Sequence, residues 1–228
     1  MTLPNPTPAR SEQELLERYA ALAFDRQKDL AEVIGTNAWN VDMGAGTISF
    51  GPGLEFPLQV LGTFSHQART WLWAWANAQS NLPERVLTLA RRLHAYGTQH
   101  GIELLTASEF DATENDLHRL GLVASGLGDA SGYYLANYGP GTLLLTVKSE
   151  LVDRVAKNDF ARIATVFPQV ISLFELRHRP AFIHYLTQKG YAVTEASDSV
   201  SAAVDAGTLT ATFDELGRLT NLQGRGGS

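Results

Sequence analysis

Residues 70–77 read TWLWAWAN and carry three of the chain's four tryptophans at alternate positions. Side chains alternate across a strand with a period of two, so Trp71, Trp73 and Trp75 share one face and Leu72, Ala74 and Ala76 the other. The spacing predicts a central strand from Thr70 to Asn77, covered on both faces. A large aromatic side chain buries about 150–250 Å², so the row suits a core beneath a packed helix. The same row could instead open onto a pocket, with an indole stacking on a ligand and Asn77 offering a directional hydrogen bond at the rim. Trp71, Trp73, Trp75 and Asn77 are therefore the candidate ligand-binding residues, weighed against core packing.

Upstream of this stretch, Trp39 and Val41, then Thr47 to Phe50, then Phe56 to Phe64, read as strands separated by glycine turns. With the tryptophan strand they make a four-strand meander. Before it, Ser11 and Glu14 have the spacing of a capping box, and Leu15, Leu16, Tyr19, Leu22, Ala23, Leu30 and Val33 form an apolar helical stripe ending near Gly35. That face is expected to lie on a sheet.

Downstream, Asn81 and Glu84 suggest a second capping box, with Pro83 in the first turn of a helix that stops at Gly97 or Gly101. Another helix is predicted from about Glu114 to Ser125. YYLANYGPGTLLLTV then reads as a hairpin turning at residues 139–141. From Ser149 the chain is mainly helical; Pro168 is expected to kink or divide one helix, and Pro180 to open another that stops at Gly190. Three or four strands follow, from Tyr191 to Leu222. VDMGAGTISF at 41–50 and VDAGTLTATF at 204–213 echo one another as Gly-Thr turns.

The composition narrows the chemistry. The chain has 228 residues, 44% apolar and 18% charged, with a net charge of −6, which suits a well-buried globular protein and argues against nucleic acid or an anionic membrane as partner. It has no cysteine, which removes disulfides, thiolate nucleophiles and Cys-ligated metals. No signal-peptide core or apolar run long enough for a membrane span is present. The expected location is the cytoplasm of a bacterium.

Catalytic motifs are scarce. There is no HExxH, no GxSxG elbow and no phosphate-cradling glycine loop followed by lysine. Glu109, Asp111, Asp116 and His118, with Glu114, are the one group that could converge on a divalent ion. Their position at a predicted helix N-terminus explains the negative charge equally well, through capping and the helix dipole.

WNVD, GTISF, QVLGTFS, WLWAWAN, GIELLT and GDASGYYLANYGPGTLLLTV together resemble an uncharacterised bacterial family, domain of unknown function 6882, over roughly residues 20–147. The resemblance implies an α+β domain without an established activity, and it carries no catalytic residues onto this chain.

The reading that results is an α+β protein dominated by antiparallel sheet and packed by helices. Residues 1–10 are expected to be a flexible leader, 11–148 an α+β domain and 149–223 a helical segment followed by strands, as part of the same unit or as a second packed half; 224–228 form a tail. The function expected is a non-catalytic module that binds a small ligand or a protein, of immunity or regulatory type, without a cofactor. The alternative is a metal-dependent hydrolase using residues 109–118. A homodimer paired through strand edges is a third reading.

Overall fold

The computed structural model describes residues 8–205 and 207–226. It is an α+β structure built on helix α1 (Glu12–Ile34). Ser11 caps α1 by accepting from the Glu14 N–H at 3.1 Å, and Gly35 ends it at φ 57°. Only half of the expected box forms, because the Glu14 carboxylate takes the N–H of Arg10 at 2.8 Å rather than that of Ser11. Of the expected leader, residues 1–7 lie outside the described residues. Ala9 is buried, and its N–H donates to the Tyr96 hydroxyl.

Strands β1 (Trp39–Asp42), β2 (Thr47–Phe50), β3 (Glu55–Ser65) and β4 (Thr70–Trp73) form the expected meander, continued by β5 (Glu109–Asp111). β3 is the axis of the sheet. Its first residues pair with β2 and its last four with β4, while Leu58 to Ser65 pair with β7 (Gly141–Val147), which carries β6 (Gly132–Asn137) beyond it. All seven strands are antiparallel to their neighbours. A bulge between Val60 and Gly62 interrupts the β3–β7 register, the kind of irregularity that bends a strand and curls a sheet.

The tryptophan strand is shorter than its alternation suggests. β4 stops at Trp73, where the chain turns; the N–H of Ala76 bonds the carbonyl of Trp73 at 3.0 Å and that of Asn77 bonds Ala74 at 3.3 Å. Ala74 N–H still donates to the Leu61 carbonyl of β3 at 2.8 Å, and after it local turn bonds replace the ladder. Asn81 adopts a left-handed conformation after a short 3-10 turn, and α2 (Glu84–His100) begins behind Pro83 without a side-chain cap. The expected box at Asn81 therefore does not form.

Helices α3 (Glu103–Thr106) and α4 (Glu114–Gly128) complete the first part. The rest comprises α5 (Glu150–Arg154), α6 (Phe160–Leu173), α7 (His178–Gln188) and a second antiparallel sheet ordered β11-β10-β9-β8, from β8 (Val193–Glu195), β9 (Ser199–Val204), β10 (Gly207–Phe213) and β11 (Leu219–Gly226). Three of the five residues expected as tail, 224–226, thus extend a strand. α6 runs through Pro168 undivided. Ile163, Val166, Phe167 and Val170, on both sides of the proline, are buried, and packing of this kind offsets the roughly 3 kcal/mol that an interior proline costs.

α1 packs chiefly on helices, α4 and α7; the expected sheet contact is made near its C-terminal end, where Leu30 and Ile34 join a second cluster with Phe50, Leu58 and Leu145. One hydrophobic cluster runs from Leu15 and Leu16 through Trp71 and Trp73 to Phe167, Tyr185 and Phe213. α1 is thus shared between the first sheet's helices and the C-terminal segment.

Candidate functional site

The tryptophans divide into two classes. Trp71 and Trp73 are fully buried, edge to face with ring centroids 5.4 Å apart. Gly62 makes room for them: a Cβ there would lie 2.5 Å from the Trp71 ring and 2.4 Å from the Leu72 carbonyl oxygen. The Trp73 indole N–H donates to the Leu104 carbonyl at 3.1 Å, while that of Trp71 has no acceptor. Trp75 lies half-buried with its ring over His94, centroids 4.0 Å apart. Asn77 precedes the 3-10 turn and makes no capping bond. These four residues line none of the cavities described below.

The acidic group is spread along the chain. Glu109 and Asp111 project from edge strand β5, opposite Leu72 and Thr70. Asp116 closes a capping box with Thr113, accepting its N–H at 2.8 Å and its hydroxyl at 2.7 Å, and also faces Arg119 at 3.4 Å. His118 bonds through Nδ1 to the Tyr133 hydroxyl at 2.8 Å. Among the described residues, no three of His, Asp or Glu converge in a geometry that could hold a metal ion.

The unexpected chemistry lies on α1. Glu17, Asp25 and Asp29 are each 2% exposed. Asp25 accepts from Lys189 Nζ at 2.5 Å and from the Tyr185 hydroxyl at 2.7 Å, and it also pairs with Arg162. Arg162 reaches Asp29 at 2.5 Å as well. Two carboxylates and two cations therefore balance inside the protein, as buried charges require. Burial raises the Asp29 carboxyl to about 6, against the pull of Arg162. Burial and the neighbouring Asp25 carboxylate push the Tyr185 phenol far up, so it stays a donor. Burial also pushes Glu17 up, but hydrogen bonds from Arg177 and Gln13 outweigh it and hold the carboxyl below its usual range.

Beside this network, α1, the C-terminal end of α4 and α7 enclose a cavity of about 480 Å³. Four further cavities measure about 260 to 440 Å³. Arg18, Tyr19, Leu22, Ala23 and Arg26 line it from α1, Gly126 and Asp129 from the end of α4, and His184, Thr187 and Gln188 from α7. Gly126 lets the helices meet closely, since a Cβ there would sit 2.3 Å from Tyr19 Cβ. Gln188 ties α7 to α1 by donating to the Arg18 carbonyl at 2.6 Å.

The polar groups of this cavity are unequally satisfied. Asp129 is shared by Arg26 at 2.8 Å and Lys148 at 3.2 Å. Arg18 is different: its Nε is buried without an acceptor, and the guanidinium lies close enough to His184 to reinforce the lowering that burial imposes on the imidazole. Burial raises the Tyr19 hydroxyl, with Arg18 opposing.

A family model of unknown function, DUF6882, matches residues 13–149, more than half of the chain. The chain belongs to the DUF6882 family. Comparison with curated proteins and with solved structures gives no match. The DUF6882 region contributes α1 and α4 to the cavity, and α7 lies beyond it. Likewise Asp25 and Asp29 belong to the DUF6882 region, whereas Arg162, Tyr185 and Lys189 come from the segment that follows. No described helix is long and apolar enough to cross a membrane.

Sequence reasoning missed both α1 features. A signal was available for the charge network, because Asp25 and Asp29 are four apart and so share one face of a helix that also carries the apolar stripe.

Proposed function

We propose that this member of DUF6882 is a non-catalytic binding module whose small-ligand site is the cavity between α1, α4 and α7. The observation that carries the reading is the cavity itself: its size, apolar walls of Tyr19, Leu22 and Ala23, and a few polar groups at its edge suit the ordinary make-up of a ligand site. A binding role is favoured over catalysis because the cavity's carboxylate, Asp129, is already engaged by Arg26 and Lys148. A base would need an orienting partner, and none is present for His184 among the described residues.

The rigid frame supports the same reading. The Asp25 network fixes α6 and α7 against α1, so the walls contributed by the two parts of the chain are held together without a ligand. Preorganisation of this kind lowers the ordering cost of binding.

Native mass spectrometry of protein purified from its own host tests the proposal, with Thr187→Trp to occlude the exposed edge of the cavity. The wild type is expected to carry or take up small molecules that Thr187→Trp excludes. Equal loading of the two proteins would place any bound molecule elsewhere and refute the assignment.

A further inference from the structure

The balance of charge in the cavity indicates what kind of molecule it accepts. Three carboxylates near the cavity, Glu17, Asp25 and Asp129, already have cationic partners. Glu17 is bonded twice by Arg177, at 2.8 and 2.7 Å. Asp25 holds Lys189 and Arg162, and Asp129 holds Arg26 and Lys148. Arg18 has no carboxylate among the described residues, and its Nε is buried without an acceptor. That Nε–H has lost water without gaining a hydrogen bond, a cost that an incoming anion removes.

Between Arg18 and Arg26 the α1 side of the lining is apolar, while α7 adds His184, Thr187 and Gln188. Tyr19 follows Arg18 directly on α1, and Leu22 and Ala23 lie about one turn further on. The site therefore offers one uncompensated cation at one point and hydrocarbon beside it. A phosphate dianion calls for several convergent donors, as in the clusters of arginines or backbone amides that recognise it, whereas a carboxylate is matched by a single guanidinium with two parallel N–H groups. The C-terminal ends of α4 and α7 also face this region, and their partial negative charge disfavours a second anionic charge on the ligand.

We infer that the cavity binds an organic monocarboxylate with an apolar tail, its carboxylate paired with Arg18 and its tail laid along Leu22 and Ala23. This rests on the cavity being a ligand site. It adds the sign of the ligand's charge, its single head group and the residue that recognises it.

Isothermal titration of the full chain with decanoate, decanol and decylamine, each below its micellar concentration, tests the inference. Decanoate should bind roughly 10- to 100-fold more tightly than the alcohol or the amine, the range expected for one charge-assisted pairing. Arg18→Gln should bring decanoate down to the level of decanol without changing the circular dichroism spectrum. Similar affinities for the three probes, or a preference for decylamine, would overturn the carboxylate assignment and leave the cavity as a site for neutral or cationic apolar molecules. Binding of none of the three would overturn both. If Arg18→Gln does not fold, the wild-type comparison of the three probes decides the question alone.

Discussion

Lys189 Nζ sits 2.5 Å from Asp25 Oδ2, with the lysine side chain 3% and the aspartate 2% exposed. This contact joins a residue of the DUF6882 region to one 40 positions beyond its end. Its free energy lies less in the attraction than in the cost of breaking it. Removing one member of a buried pair leaves the other charge without a partner, at about 3–5 kcal/mol. Asp25→Ala is therefore expected to lower stability by about that amount in urea unfolding, because Lys189 and Arg162 both lose an acceptor. Lys189→Met should cost less, since Arg162 and Tyr185 still hold the carboxylate.

The same network makes a prediction about pH. Asp29 has its carboxyl raised to about 6, from about 3.9 in an unfolded chain. A raised acid binds more protons in the folded state, so its contribution is fully present below the unfolded pKa and is lost as pH rises through the folded one. The stability of the wild type relative to Asp29→Asn should therefore fall between about pH 4 and pH 6.5. Unfolding curves at intervals across that window check it. A difference that grows with pH would mean that Arg162 dominates over burial.

Gly62 is expected to tolerate no side chain. Gly62→Ala would press a methyl against the Leu72 carbonyl and the Trp71 ring, and overpacking of this kind costs about 1–3 kcal/mol. Trp73→Phe should also destabilise, through a lost bond to Leu104 and a small cavity. Both losses are read by thermal unfolding. Acrylamide should quench Trp39 and Trp75, which are partly exposed, and leave Trp71 and Trp73 dark to it.

We further propose that the DUF6882 region and the C-terminal segment unfold together. A chain ending at residue 149 would leave Asp25 and Asp29 without Arg162 and Lys189 and would uncover the parts of the shared cluster packed against Phe167 and Tyr185. Such a fragment should be expanded and aggregation-prone in light scattering. A folded, monomeric fragment would show instead that the two parts are separable.

Much of the fold was legible because its signals are local. The α1 cap at Ser11, the meander from Trp39 to Trp73 and the hairpin from Tyr133 to Val147 follow from periodicity and glycine placement, and the α+β class follows from them. The length of β4 was not legible, because the alternation of Trp71, Trp73 and Trp75 continues through the point where the chain turns at Trp73 to Asn77. The cavity was hidden for a different reason. Arg18 and His184 are 166 positions apart, and nothing near either one marks it as different from an ordinary surface residue. The tryptophans, by contrast, announce themselves, yet Trp71 and Trp73 serve as core.

The most direct measurement is a two-dimensional NMR titration of the full chain with decanoate, following the methyl groups of Leu22, Ala23 and Thr187 and the imidazole of His184. Shifts concentrated on these four residues are the expected result. Shifts centred instead on Trp75 and Asn77, or on His118 and Tyr133, with the α1 and α7 signals unmoved, would contradict the assignment of the ligand site.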